Sequence, residues 1–518
     1  MTLMTVRKKF QVRVAAEIAL VLALAHAAYV GASVEDANRA FKEARYADGL
    51  AELQALSAAG NAHAEAALGW LILYGLGVPR DPVKARRMIE HAAGTGDRDS
   101  RLYYAGALLT LEPNAEGYAK AVGIVRKYAE QGDAQAQAQL GFMYLQGIGV
   151  PREASQAAHW IELAAGQHNG YGIYLRGTLY DTGAGVPQDS ARAAALYREA
   201  AQSGLSAADY AVGTTYETGR GVPKDYVQAM AWYRRAADKQ VAAAMSAIGR
   251  LYNEGLGVPK DEALAERWLL KGANAGDVAA FVDLGTLYAQ GFNGRQADGE
   301  QAARMYHKAA EGGAVAGWHG LGWMYRFGKG VAKDDAAAFR WYMKAAQAGY
   351  PAAYAMLGRL YLAGQGVAKN VKEGEAWLQR GVAAGDIDSQ TLLGRVYLWG
   401  QPVGRNDTEG IRWLTRAAIA GGTEAQYWLA EAYVSGKQVQ RDLPRGFAWM
   451  SIAAAGGRDD AKARLQRLTF ELSRDQLERG RRAIAHWHMG ADLVVTPTPV
   501  GGMALGQFNL NAPFAPGH

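Results

Sequence analysis

Apolar and small residues return along this chain in a helical rhythm, and the rhythm itself returns every 36 residues. The stretch from Leu205 to Gln240, LSAADYAVGTTYETGRGVPKDYVQAMAWYRRAADKQ, shows one full cycle. Val212 and Gly213 stand four and three positions before Tyr216, so the three share one helix face. Gly219 and Gly221 end that helix, because glycine enters the left-handed region without the clash a side chain would make. Val222 and Pro223 extend the chain, and Asp225 is placed to cap a second helix from about Tyr226 to Ala237. Its buried side is expected to carry Ala229, Trp232, Ala236 and Ala237.

The cycle is copied along most of the chain. Gly219, Gly221, Val222 and Trp232 have counterparts at Gly255, Gly257, Val258 and Trp268, at Gly147, Gly149, Val150 and Trp160, and at Gly364, Gly366, Val367 and Trp377. A fixed period of this length marks stacked repeats, each a helix pair with no core until its neighbours supply one. Gly213 costs its helix about 1 kcal/mol against alanine. Glycine nevertheless stands at the same place at Gly69, Gly141, Gly177, Gly249, Gly285, Gly322, Gly358 and Gly394. Such persistence points to two helices too close for a Cβ between them. Tyr216 likewise returns at Tyr144, Tyr180, Tyr252, Tyr288, Tyr325, Tyr361, Tyr397 and Tyr433, which predicts packed rings with hydroxyls at an edge.

Ten loops open at Gly75, Gly147, Gly183, Gly219, Gly255, Gly291, Gly328, Gly364, Gly400 and Gly436. An eleventh unit carries LEPNAEGYAKA near Leu111 instead, and the loop from Gly291 to Gly299 is one residue longer and lacks G-x-G-V. These two interruptions are candidate places for partner contact or for a change of curvature. Residues 33–60 read as an N-terminal capping helix pair, with Val34, Ala37, Ala40 and Phe41 on one stripe and Leu50, Leu53 and Leu56 on the next. Residues 458–490 read as C-terminal capping helices, the second opened by a capping box of Ser473 and Gln476. Residues 491–518 form a Pro/Gly-rich tail without periodicity, expected to be disordered.

The string A-x-x-x-L-G-x-x-Y-x-x-G-x-G-V, with the W-x-x-x-A-A that follows, resembles the Sel-1-like repeat, a relative of the shorter tetratricopeptide repeat. The likeness spans residues 61–457. It implies an all-α fold: a right-handed α/α superhelical solenoid of about eleven 36-residue helix-turn-helix repeats with helical caps. It also implies a scaffold or adaptor that binds a protein or peptide on its concave face, with no enzyme active site and no cofactor.

Composition narrows the picture. The absence of cysteine excludes disulfides, thiolate metal sites, a cysteine nucleophile and a lipoprotein anchor, and departs from the cysteine-rich secreted members of the repeat family. Net charge is +6, but Arg7, Lys8, Lys9 and Arg13 against Glu17 supply about half of it, so nucleic acid is not an expected partner. Residues 1–32 resemble a secretory signal peptide: a basic start, an apolar run from Val14 to Val30 and small residues before Ser33. That reading places the protein in the periplasm or outside the cell. The alternative is an inner-membrane anchor through the same segment, the one part of the chain expected to touch a membrane.

Candidate chemistry is sparse. His486-Trp487-His488 is the one close histidine pair, and residues two apart on a helix point away from each other. The glycine loops lack the Lys-Ser/Thr of a phosphate-binding loop. The Trp ladder, Trp160, Trp232, Trp268, Trp341, Trp377, Trp413 and Trp449, keeps strict period and reads as packing. Trp70, Trp318, Trp323, Trp399 and Trp428 fall outside it. Trp323 fills a slot held elsewhere by Thr178, Thr214, Arg250, Thr286, Arg359, Arg395 and Glu431, a mixture that predicts a solvent-facing position on the first helix. His319, Arg326 and Phe327 lie within a turn, and the next units add Arg359, Arg395 and Trp399. Aromatic and arginine side chains concentrate at interface hot spots. These seven residues are the candidate partner surface. Glycan or exopolysaccharide binding or assembly through the same aromatics is the alternative function.

Overall fold

Helix boundaries fall where the sequence offers caps. In the computed structural model, which describes residues 46–75, 78–399 and 403–495, Asp225 takes extended angles. Its side chain accepts the N–H groups of Val227 and Gln228 at 2.9 and 3.0 Å. Its own N–H donates to the Tyr216 carbonyl at 2.9 Å, so one residue caps the second helix and ties it to the first. Gly219 sits at φ 73°, ψ 21° and returns its N–H to Thr215, closing the first helix. At Gly221, also left-handed, a Cβ would overlap the Ser190 carbonyl of the preceding repeat. The loop glycines therefore set both the turn and the stacking. The longer loop from Gly291 to Gly299 departs here, with Gly291 at φ 75°, ψ 153°, outside the left-handed helical region.

The described residues form 25 helices and no strand. In chain order they begin with α1 (Tyr46–Ala58), α2 (Ala62–Tyr74), α3 (Pro82–Gly94), α4 (Arg98–Leu111), α5 (Ala115–Glu130), α6 (Ala134–Gln146) and α7 (Ala154–Gly166). Then come α8 (Gly170–Thr182), α9 (Ser190–Gln202), α10 (Ser206–Thr218), α11 (Tyr226–Asp238), α12 (Ala242–Glu254), α13 (Glu262–Asn274) and α14 (Val278–Gln290). They continue with α15 (Gly299–Glu311), α16 (Val315–Phe327), α17 (Asp335–Gln347), α18 (Pro351–Ala363), α19 (Val371–Ala383) and α20 (Ile387–Trp399). The last are α21 (Asp407–Ile419), α22 (Thr423–Ser435), α23 (Leu443–Ala455), α24 (Asp459–Glu471) and α25 (Arg474–Ala485). From α2 to α23 these are eleven successive helix pairs, the all-α solenoid of the repeat pattern. The unit at Leu111 keeps its pair without the glycine loop: Asn114 caps α5 by accepting from the Gly117 N–H.

The chain divides into two compact units. One contains the residues up to Asp298 together with Glu311–Gly313; the other contains Gly299–Ala310 and the residues from Ala314 onward. In the first, each helix from α1 to α14 packs on the next in sequence. Its core runs from Leu53 through Ile89, Leu108, Leu140, Ile161 and Leu179 to Val212, and continues in Tyr233 and Ile248. In the second, α16 to α24 pack in sequence and α25 folds back on α23. Burying one such leucine or isoleucine is worth about 1.5–3 kcal/mol, which each pair gains from its neighbours.

The glycine slot is where the two helices of a pair meet. A Cβ at Gly213 would lie 2.6 Å from the Tyr233 ring, at Gly141 2.6 Å from Ile161 and at Gly358 2.5 Å from Leu378. The deepest side chain of the second helix is thus the one that follows the periodic tryptophan. Tyr233 is fully buried while Trp232 is half-buried, which corrects the expected inner face of that helix. Three of the ladder tryptophans lie closely under a cation three residues later: Arg235 over Trp232 at 4.5 Å, Lys271 over Trp268 at 4.3 Å, Arg380 over Trp377 at 4.3 Å. Ser473 and Gln476 form the reciprocal capping box that opens α25. The signal-peptide segment, the stripe from Val34 to Phe41 and the tail beyond residue 495 lie outside the described residues.

Candidate functional site

In the second unit the first helices α16, α18 and α20 carry the seven candidate residues. On α16, Trp323 and Phe327 are 37% and 51% exposed, large apolar side chains left in solvent. Their rings lie 5.3 Å apart, and the Arg326 guanidinium sits 5.5 Å from the Phe327 ring. One turn earlier, His319 is half-buried between Tyr342 of α17 and Tyr350, with ring centroids 5.3 Å from each. Burial holds its pKa below the ordinary histidine value, against the pull of Asp386, so the imidazole is neutral at neutral pH.

The charges of Arg326 and Arg359 both bear on Tyr342, and that of Arg359 bears on Arg326. Tyr342 is buried completely beneath Gly322, where a Cβ would stand 2.7 Å from its ring. Burial raises its phenol, and both guanidinium groups work in the other direction. The Arg326 pKa is depressed by burial and further by Arg359, with Tyr342 and Asp335 opposing. Arg326 Nη1, Arg359 Nε and the Tyr342 hydroxyl are buried without a hydrogen-bond partner. The carboxyl of Asp388, on α20, is raised by burial and by Asp386 and Glu424, with Arg359 opposing.

Arg395 and Trp399 belong to a second cluster rather than to this one. Arg395 donates to Glu424 at 2.6 Å and lies 4.5 Å from the Trp428 ring. Trp399, 40% exposed, meets Trp428 edge-on at 5.1 Å, and the Trp428 indole donates to Glu424 at 3.3 Å. Of the other tryptophans outside the ladder, Trp70 and Trp318 are core residues whose indoles donate to the carbonyls of Tyr103 and Ala310. Sequence reasoning missed Tyr342 and Glu424. The first stands on the second helix, where the missing Cβ of Gly322 lets its buried ring pack close to α16.

The first unit shows how the same positions look when balanced. Tyr233 donates to the Glu217 carboxylate, and Arg250 lies 3.6 Å from Asp283. Burial disfavours the Arg250 charge, but Asp283 and Glu217 outweigh it and raise the pKa. Burial pushes the Asp283 carboxyl up to about 6, against the pull of Arg250.

Elsewhere the arrangement is structural. A shallow cavity of about 360 Å³ lies between α3, α4 and α5, lined in part by Glu90, Arg101, Tyr104 and Lys127. His486 is hydrogen-bonded to the Arg482 carbonyl at 2.8 Å. Among the described residues no group of three His, Asp or Glu is placed to hold a metal ion.

The Sel1 repeat family model matches residues 62–94, 134–169, 170–205, 206–241, 242–277, 282–313, 319–350, 351–386, 387–422 and 423–457. These are ten of the eleven helix pairs; the unmatched pair, α4 and α5, is the one without a glycine loop. Among solved structures, a protective antigen of uropathogenic Escherichia coli displaying an SLR fold is 29% identical, with 84% of this chain and 93% of that chain covered and a TM-score of 0.48. A Sel1 repeat protein from Oxalobacter formigenes is 32% identical over 47% of this chain and 96% of its own, with a TM-score of 0.42. No curated protein matches the chain.

Proposed function

The chain belongs to the Sel1 repeat family, and on that premise we propose that it is a non-enzymatic scaffold that holds a peptide segment of a partner protein on the first-helix face of its second unit. The observation that carries the reading is the exposed Trp323 and Phe327 beside half-buried Arg326 on α16, with half-buried Arg359 on α18. Large aromatic side chains left in water cost hydration free energy that a bound peptide recovers, and arginine adds direction. The repeats supply the support, since each of these helices packs on the next in sequence.

The basic, then apolar, start of the chain supports export to the bacterial envelope as the place where this scaffold works. No helix among the described residues is long and apolar enough to cross a membrane. Peptide capture is tested by panning a random peptide library on the full chain and on the Trp323→Ala, Arg359→Ala double variant. Retained peptides are expected to lose affinity for the variant while its far-ultraviolet circular dichroism and thermal unfolding stay unchanged. Unchanged affinity, or capture of exopolysaccharide in place of peptides, would overturn the reading.

A further inference from the structure

The repeat register allows one unit of this protein to be read against the other. Arg250, Tyr233, Glu217 and Tyr210 stand together in the first unit, and the residues 109 positions further on are Arg359, Tyr342, Arg326 and His319. Three of the four roles are kept: an arginine in the tolerant slot, a buried tyrosine beneath the glycine and a second ring beside it. The ring pairs match, Tyr210 with Tyr233 at 5.5 Å and His319 with Tyr342 at 5.3 Å. The fourth role is reversed in charge. Glu217, which accepts the Tyr233 hydroxyl, is replaced by Arg326, and Asp283, which pairs with Arg250, is replaced by Leu392.

Both carboxylates around the first-unit arginine are therefore missing from the second. Their absence leaves Arg326 Nη1, Arg359 Nε and the Tyr342 hydroxyl buried and without acceptors, and neither guanidinium is in an ion pair among the described residues. Other acids face the group from a distance. Asp335 acts on Arg326 but pairs with Lys333 at 3.7 Å, Asp386 faces His319, and Asp388 faces Arg359. Two cations placed together in a partly desolvated site repel each other and gain from any carboxylate brought between them.

We propose that Arg326, Arg359 and the Tyr342 hydroxyl receive the side-chain carboxylate of a glutamate or aspartate in the partner's peptide, while Trp323 and Phe327 receive the apolar side chain next to it. The assignment to a side chain follows from Glu217, which fills the equivalent place from within the first unit. The guanidinium groups and the phenol donate, and the carboxylate accepts. This rests on the peptide-capture reading and adds the chemistry of the peptide to it.

The test uses the full chain and peptides selected from a random displayed library, titrated by fluorescence anisotropy. Selected peptides are expected to carry an acidic residue beside a bulky apolar one. Changing that residue to its amide, or making Arg326→Glu, is expected to weaken binding on the order of tenfold to a hundredfold each. The two changes together are expected to weaken it less than the product of the two. Arg326→Glu supplies the counterpart of Glu217, one of the first unit's two carboxylates, so its unfolding temperature should equal or exceed the parent's. If that variant is unfolded, Arg359→Gln serves in its place, with the same expected loss of binding. Peptides that depend on Trp323 but tolerate both charge changes would overturn the carboxylate site and leave the capture face standing. Peptides that need a free chain end instead of an internal acid would also overturn it. Peptides indifferent to Trp323→Ala would overturn both.

Discussion

Gly141→Ala and Gly123→Ala make the same chemical change in two helices of the first unit and should have opposite effects. Both add one methyl group and both gain about 0.5–1 kcal/mol from the lower backbone freedom of alanine in a helix. At Gly123, on the exposed face of α5, the new Cβ meets nothing within 4 Å, so the gain is kept. At Gly141 it would lie 2.6 Å from Ile161 Cγ1, 3.0 Å from the Ile161 amide nitrogen and 3.1 Å from the Ala157 carbonyl oxygen. Ile161 is fully buried and the other two atoms are backbone, so relief requires α6 and α7 to separate. Overpacking of this kind costs about 1–3 kcal/mol. The intrinsic gain cancels between the two variants, and Gly141→Ala should be less stable than Gly123→Ala by about 1–3 kcal/mol. Urea unfolding followed by circular dichroism measures the difference as a shift in midpoint, with unchanged slope required for the comparison. If both variants are stabilised equally, the close-approach explanation of the repeated glycine is wrong.

Three further outcomes follow from the same geometry. Asp225→Ala removes the acceptor of the Val227 and Gln228 N–H groups and should lower stability by about 1 kcal/mol in the same unfolding experiment. The Asp283 carboxyl should titrate near pH 6, as followed by its carboxyl carbon resonance. Its folded pKa is raised above the unfolded value, so this group's contribution to stability falls as pH rises from about 4 to about 6. The Asp283→Asn variant should lose that slope; a titration near pH 4 would contradict the account. Trp428→Ala removes the ring that meets Trp399 and Arg395 and should quench or shift Trp399 emission without altering peptide capture at Trp323.

The helix pairs, the left-handed glycines and the capping aspartates are legible in the sequence because each has a local cause: a missing Cβ, a positive φ, a side chain one turn from free N–H groups. The inner face of the second helix is less legible. Trp232 keeps the stricter period, yet Tyr233 is the residue opposite Gly213, and Arg235 shelters the tryptophan from solvent. Strict recurrence does not report depth: Trp160, Trp232, Trp268, Trp341 and Trp413 are half-buried, whereas Trp377 and Trp449 are buried. At the candidate site, the mixture of threonine, arginine and glutamate in one slot correctly marks Trp323 as exposed. The grouping of all seven residues does not hold as one cluster, because Arg395 is drawn to Glu424 and Trp428 while Arg359 remains with Arg326. That difference depends on which acid stands one repeat away, information that no single repeat contains.

The most direct test is a crystal structure of the full chain with a selected peptide. The account predicts peptide density across the first-helix face of α16 and α18, against Trp323 and Phe327. Density on another surface, with this face empty, would contradict it.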